Sequence, residues 1–188
     1  GTLALGVMTL AIFVHRQLRL ERPLIDFRLL SATPIATGIL IALVASMTLI
    51  GFELVLSQRL QLVLGKSPLE AGAFVLPISL GSFIAGPIAG ALVGRIGAMR
   101  VIAAGLAMCA MGMWGYLVLG EANTALQIAA LALCGIGIGS SLTESSTLVM
   151  SNVSEERAGM AGSVEGVAYE FGGGFGVTIF GSLMTAVY

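Results

Sequence analysis

Residues 33–57 read TPIATGILIALVASMTLIGFELVLS, a run of 25 residues in which Glu53 is the single ionisable side chain. A transmembrane helix needs about 20 consecutive, mostly apolar residues, so this run is long enough to cross a bilayer. The whole chain is similar in character: of its 188 residues, 57% are hydrophobic and 10% are charged, and the mean hydropathy is +1.01. Soluble proteins carry about 25% charged residues. We therefore expect an all-α integral membrane protein.

Five further apolar runs alternate with short polar segments, which gives about six transmembrane helices in all. The six predicted spans are 1–14, 33–57, 69–94, 99–119, 124–149 and 158–187. The chain begins and ends within apolar sequence. We therefore expect it to form part of a longer membrane protein.

The basic residues predict an orientation, because Lys and Arg accumulate in cytoplasmic loops. If residues 15–32 are cytoplasmic, alternating loops place seven of the nine Lys and Arg residues inside and two outside. The inner set is Arg16, Arg19, Arg22, Arg28, Arg95, Arg100 and Arg157, and the outer set is Arg59 and Lys66. Residues 15–32 mix arginines with leucines and should lie along the membrane surface as an interfacial linker. The net charge of −1 offers no basic field for nucleic acid.

Four carboxylates fall inside predicted spans, where an ionisable group is costly unless it faces protein, water or a partner. They are Glu53, Glu144, Glu165 and Glu170. The same spans contain no Lys or Arg, so each acid is a candidate for binding a proton or attracting a cationic substrate. The alternative is a structural role, in which the acids bond Ser or Thr across helices. Hydroxyl residues share a helix face with two of the acids, Ser46 and Ser57 with Glu53, and Ser140 and Thr147 with Glu144.

Aromatic residues accompany the acids of the last span. Glu165 and Tyr169 share one helix face, whereas Glu170 lies about 140° further round the helix axis at 3.6 residues per turn. The two acids should therefore have different neighbours. Tyr169, Phe171 and Phe175 are suited to holding an organic cation or its hydrophobic body.

The sequence offers no pattern for catalysis, a cofactor or a metal. The single His15 and the single Asp26 lie together in the predicted linker, away from the apolar spans. Cys109 and Cys134 lie in apolar runs without a CxxC motif or a His partner, so we expect them to be small buried hydrophobic residues. We predict no enzyme activity and no catalytic or metal-binding residue.

Several segments resemble a known family. Residues 61–72, QLVLGKSPLEAG, followed by Leu76-Pro77, resemble the loop and helix start of the fourteen-helix drug:proton antiporters of the major facilitator superfamily. Residues 23–30, PLIDFRLL, resemble that family's link from its central extra helix pair into its carboxy-terminal bundle. The turn at Arg157 and the stretch 165–181 are most similar to the quaternary-ammonium and methyl viologen efflux pumps of the family.

Residues 90–100, GALVGRIGAMR, are similar to the loop motif of the superfamily, which combines Gly, Leu, Asp, Arg, Gly and basic residues. Gly94 stands where that motif has Asp, so an Asp-dependent contact is not expected in this copy. The resemblance implies a cytoplasmic gate formed by Gly90, Gly94, Arg95, Gly97 and Arg100.

The resemblance also implies a domain arrangement. Residues 1–14 would end a central extra transmembrane helix, 15–32 would be a cytoplasmic linker, and 33–188 would be five helices of an incomplete carboxy-terminal bundle. The remaining polypeptide would supply the amino-terminal bundle. In such pumps the main proton-carrying acid is usually in that other half, so the acids here are expected to shape the substrate cavity more than to complete the coupling.

The function implied is proton-coupled efflux of lipophilic cations, such as quaternary ammonium compounds, methyl viologen and dyes, across the bacterial inner membrane by alternating access. The expected partners are these cations, protons, membrane lipid and the rest of the polypeptide, without a cofactor or nucleic acid. Two alternatives stay open. One is a superfamily carrier for another small solute, and the other is a membrane subunit or enzyme without a transport role.

Overall fold

The computed structural model describes residues 2–19, 32–119 and 123–187, which are helical with no strand among them. The described helices are α1 (Thr2–Arg19), α2 (Thr33–Gln58), α3 (Pro68–Ile96), α4 (Ala98–Leu119), α5 (Thr124–Ser151) and α6 (Glu155–Val187). A π-helical turn, Arg59–Val63, continues α2. The predicted all-α fold is confirmed.

Four helical segments in the described part of the chain are long and apolar enough to cross a membrane. They are α2 with its π-helical turn (Thr33–Val63), α3, α4 and α5. The chain is therefore a multi-pass membrane protein. The spans 1–14 and 158–187 stay predictions as membrane crossings, although α6 is one continuous helix over the second of them. Helix α1 runs on to Arg19, into the predicted linker, whose residues 20–31 lie outside the described residues.

Close contacts at glycines give the relative direction of the helices. The contacts join Gly105 to Ser141 and Gly112 to Cys134, Gly81 to Ala132 and Gly86 to Thr143, and Gly172 to Leu43 and Gly176 to Met47. Helices α4 and α5 are therefore antiparallel, α3 and α5 are parallel, and α2 and α6 are parallel. Gly38 near the start of α2 meets Val149 near the end of α5, so these two helices are also antiparallel.

This topology separates the basic residues described between residues 32 and 187 into two groups, one at each end of the bundle. Arg95, Arg100 and Arg157 lie at the end of the bundle that holds the α3–α4 turn and the α5–α6 connection. Arg59 and Lys66 lie at the opposite end, between α2 and α3. The predicted alternation of the loops agrees with this arrangement.

The core changes in character along α5. Up to its middle, α5 contributes Leu131, Cys134 and Ile138 to two apolar clusters, and Val149 joins a third cluster near its end. Between them lies a buried polar segment whose members are Ser140, Ser141, Glu144 and Ser145. The polar layer is thus enclosed by apolar packing on both sides.

Candidate functional site

Glu165 is the centre of a hydrogen-bonded group between α5 and α6, with 3% of its surface exposed. The Ser146 hydroxyl donates to its Oε2 at 3.1 Å, and the Tyr169 hydroxyl donates to its Oε1 at 2.9 Å. The Ser145 hydroxyl lies 3.5 Å from Oε1 and bonds the carbonyl oxygen of Gly38 on α2 at 2.9 Å. Ser146 and Tyr169 are therefore the close donors to Glu165, and because all three hydroxyls are uncharged, none of them neutralises the carboxylate.

Tyr169 reaches Glu165 because residues four apart lie on the same face of a helix. Its backbone is fixed from the other side, since the Ser46 hydroxyl of α2 donates to the Tyr169 carbonyl oxygen at 2.8 Å. Helices α2 and α6 can approach this closely because Gly172 and Gly176 have no side chain at the contact. The glycines of α6 therefore hold the site in place.

Glu144 on α5 is fully buried, with an exposed fraction of 0%. Neither of its carboxyl oxygens has a hydrogen-bond partner among the described residues. The hydroxyls predicted to share its face bond their own helix instead: Ser140 donates to the Ile136 carbonyl at 2.7 Å, and Thr147 donates to the Thr143 carbonyl at 3.0 Å. Among the described residues, Glu144 therefore does not make the bond to Ser or Thr across helices that a structural role would involve. Glu165 does make such a bond, to Ser146.

Glu53 is half-buried on α2, close to the Arg59 end of the bundle. Its neighbour Phe52 packs against an apolar cluster that contains Cys109 and Cys134. The two sulfur atoms are 3.7 Å apart, and both cysteines are free and buried. This confirms the cysteines as small buried residues.

Glu170, Phe171 and Phe175 lie on the exposed side of α6 and do not join the group around Glu165. The exposed fractions of Phe171 and Phe175 are 57% and 49%. Their rings are tilted at 31° with centroids 6.1 Å apart. The predicted difference between the neighbours of Glu165 and Glu170 is confirmed, and the predicted set of site residues divides into a buried part and an exposed part.

The predicted gate lies at the turn between α3 and α4. Gly97 is the only residue between the two helices, and its φ of 85° and ψ of 149° favour glycine. Arg95 and Arg100 are exposed on either side of this turn. Gly90 and Gly94 are exposed on α3 and have open space beside them.

The sequence alone does not single out Ser145 and Ser146, although residues 140–147, SSLTESST, form the densest run of hydroxyl residues in the chain. That run surrounds Glu144 in the sequence, so the local pattern pairs these hydroxyls with Glu144. The acid that the hydroxyls serve, Glu165, is on another helix. No group of three or more His, Cys, Asp or Glu side chains in the described ranges is arranged to hold a metal ion.

Comparisons with known proteins agree on one family. The family model of the Major Facilitator Superfamily matches residues 3–177. Methyl viologen resistance protein SmvA of Salmonella typhimurium is 40% identical over 185 residues, which are 98% of this chain and 37% of that protein. Multidrug efflux pump LfrA of Mycolicibacterium smegmatis is 35% identical over 186 residues, covering 98% of this chain and 37% of the pump.

A third relative is multidrug resistance protein Stp of Mycobacterium tuberculosis, 35% identical over 176 residues, which are 94% of this chain and 33% of the relative. The chain spans about a third of the length of these curated relatives.

Proposed function

Since the chain belongs to the Major Facilitator Superfamily, we propose that the protein it forms part of exports lipophilic organic cations in exchange for protons across the bacterial inner membrane. The relatives are named for multidrug efflux and for resistance to methyl viologen, which is itself an organic cation. Family and relatives indicate a transporter rather than an enzyme.

The observation that supports this proposal best is the environment of Glu165. The carboxylate is buried, and its close hydrogen-bond donors among the described residues are the neutral hydroxyls of Ser146 and Tyr169, with the Ser145 hydroxyl 3.5 Å away. A buried charge without a countercharge is unfavourable, so the site favours either a proton or a cationic substrate. If both compete for one carboxylate, arrival of the cation displaces the proton, which is the elementary step of exchange.

The exposed side of α6 supports a role in cation recognition. Glu170 supplies negative charge, and the paired rings of Phe171 and Phe175 supply aromatic faces that attract organic cations. In the complete pump we propose that this surface faces the substrate cavity shared with the amino-terminal bundle. Glu53 is a further acid of the same cavity, at the Arg59 end of α2.

The domain arrangement follows the same proposal. Residues 33–188 form five helices of the carboxy-terminal bundle, 15–32 a cytoplasmic linker, and 1–14 the end of an extra central helix. The turn with Arg95, Gly97 and Arg100 belongs to the cytoplasmic gate, because it lies at the bundle end that carries three of the five basic residues described between residues 32 and 187. An anionic solute would favour Lys or Arg beside the buried acids, and the predicted spans that carry Glu53, Glu144, Glu165 and Glu170 contain neither.

The test is export of a fluorescent quaternary ammonium dye from bacteria that express the full-length protein and lack other efflux pumps. In Glu165→Gln the amide oxygen still accepts a hydrogen bond, the amide nitrogen only donates, and the side chain cannot ionise. We expect at least about a tenfold loss of efflux rate, equivalent to about 1.4 kcal/mol. Glu170→Gln should raise the dye concentration needed for half-maximal rate.

Glu156→Gln is the matched control, because Glu156 is an exposed acid in the first turn of the same helix. It should export dye at the wild-type rate. If Glu165→Gln exports dye at the wild-type rate at matched expression, Glu165 has a structural role and not a role in transport. Loss of all efflux when the membrane potential alone is collapsed, with the proton gradient intact, would argue against proton exchange as the driving force.

A further inference from the structure

The structure contains two buried acids at one level of the bundle, and they differ in their hydrogen-bond partners. Glu165 accepts from neighbouring hydroxyls, whereas Glu144 is sealed from solvent and has no hydrogen-bond partner for either oxygen among the described residues. Buried polar groups are nearly always paired, so an exception requires an explanation.

The surroundings of Glu144 contain almost no titratable side chains. Ser141 and Ser145, on either side of Glu144 along α5, meet Gly105 of α4 and Gly38 of α2, and Thr143 meets Gly86 of α3. The segments around these three glycines, residues 101–108, 34–42 and 83–90, include no acidic, basic, Cys, His or Tyr side chain. Helix α6 contributes Glu165, with Tyr169 bonded to it.

The remaining titratable groups on helices packed against α5 lie further along the bundle. They are Glu53 on α2, Glu70 and Arg95 on α3, Arg100, Cys109 and Tyr116 on α4, and Glu155, Glu156, Arg157 and Glu170 on α6. Glu165 is thus the one titratable acid described at the level of Glu144, and it is of like charge. Two ionised carboxylates in this enclosed layer would repel each other.

We infer that Glu144 is a second proton-binding site, which is a neutral carboxylic acid in this closed arrangement and releases its proton only when α5 separates from its neighbours. An ionised carboxylate needs hydrogen bonds or a countercharge when it is buried, and the part of the chain that the structure describes provides Glu144 with neither. The neutral acid is far less costly to enclose without partners. Opening of the tight contact between α4 and α5 would admit water and allow ionisation.

The role of this proton in transport rests on the proposed function, whereas its presence on Glu144 does not. In an alternating-access pump, a carboxyl that ionises only in the open arrangement ties proton release to the movement of α5. The same helix carries Ser145 and Ser146, which hold Glu165. Movement of α5 therefore changes both acids together.

The first experiment detects the proton directly on purified full-length protein in lipid nanodiscs. Infrared spectroscopy at mildly alkaline pH resolves the C=O stretching band of protonated carboxyl groups, which shifts in heavy water. We expect Glu144→Gln to remove one such band and Glu156→Gln to leave the spectrum unchanged. An unchanged carboxyl band in Glu144→Gln would overturn the inference.

The second experiment follows thermal unfolding of the same protein against pH. Because the folded state holds Glu144 neutral and the unfolded chain ionises it, this residue's contribution to stability is present at low pH and lost as pH rises. Glu144→Gln should flatten that fall. If Glu144→Gln does not fold, Glu144→Met serves in its place, since a neutral side chain of similar volume fits a site that makes no hydrogen bond. An equally steep fall in the folded variant would contradict a neutral Glu144.

A transport assay distinguishes the proposed function, proton-coupled export, from the proposed proton site at Glu144. In proteoliposomes with an imposed proton gradient, Glu144→Gln should bind the quaternary cation but lose most gradient-driven uptake. If wild-type uptake is independent of the proton gradient while the carboxyl band still disappears in Glu144→Gln, the proposed function is refuted and the proton site at Glu144 is supported. If wild-type uptake is gradient-driven and Glu144→Gln matches it, the coupling role of Glu144 is refuted.

Discussion

Replacing Gly172 by alanine tests the contact between α2 and α6 that positions the Glu165 site. A Cβ atom at this position would collide with the carbonyl oxygen of Leu43 and lie 3.0 Å from the Cβ atom of Ser46. Both atoms are fixed to the α2 backbone and cannot rotate away. The two helices must therefore move apart, which weakens the bond from Ser46 to the Tyr169 carbonyl.

The size of the effect follows from two opposing terms. Overpacking of a tight contact costs about 1–3 kcal/mol. Alanine regains up to about 1 kcal/mol over glycine within a helix. Gly174→Ala provides the matched control two residues away, because Gly174 is exposed and has no other atom within 4 Å of the new Cβ position. The propensity gain is common to both variants, so their difference isolates the packing cost of about 1–3 kcal/mol.

The assay is thermal unfolding of the purified full-length protein in detergent, combined with dye efflux from cells at matched expression. Gly172→Ala should unfold at a lower temperature than Gly174→Ala and should export dye more slowly. Gly173→Ala should fall between them, since the one atom that its Cβ would meet closely is the flexible end of Ile50 at 2.6 Å, while the Ser46 hydroxyl oxygen lies at an ordinary 3.9 Å. Equal unfolding temperatures for Gly172→Ala and Gly174→Ala would refute the close approach of α2 and α6.

Three further predictions test other parts of the fold. Tyr169→Phe keeps the ring but removes one donor to Glu165; it should lower stability by about 1 kcal/mol and slow efflux, and unchanged values of both would show that this bond is dispensable. Cys109 and Cys134 are buried, so a maleimide reagent should label them only after denaturation, and rapid labelling of the native protein would contradict the packing of α4 on α5. Ser67→Ala removes the side-chain cap of α3 and should cost about 1 kcal/mol, measured by thermal unfolding against wild type.

The sequence predicted the helices well because their signals are local. Long apolar runs set α2 to α5, and the Ser67-Pro68-Leu69-Glu70 segment begins α3 with a capping box, in which the Ser67 and Glu70 side chains bond each other's backbone N–H groups. The π-helical turn at Arg59–Val63 has no such signal in its sequence. It was therefore not predicted.

The site was predicted only in part because its hydrogen bonds cross between helices. The four-residue spacing of Glu165 and Tyr169 placed them together correctly, since both lie on α6. Which acid the hydroxyls of α5 would bond depends on how α5 and α6 are rotated against each other. Single-helix periodicity contains no information on that rotation, so Ser146 and the isolation of Glu144 emerged only from the structure.

If a proton and a lipophilic cation compete for Glu165, as we propose, binding of the cation releases protons into solution. Purified full-length protein in weakly buffered solution is titrated with a quaternary ammonium cation while a pH indicator reports released protons. Wild type and the surface control Glu156→Gln should release protons as the cation binds, and Glu165→Gln should release far fewer. Equal release by Glu165→Gln, or binding without release by wild type, would show that the proton and the cation do not compete for Glu165.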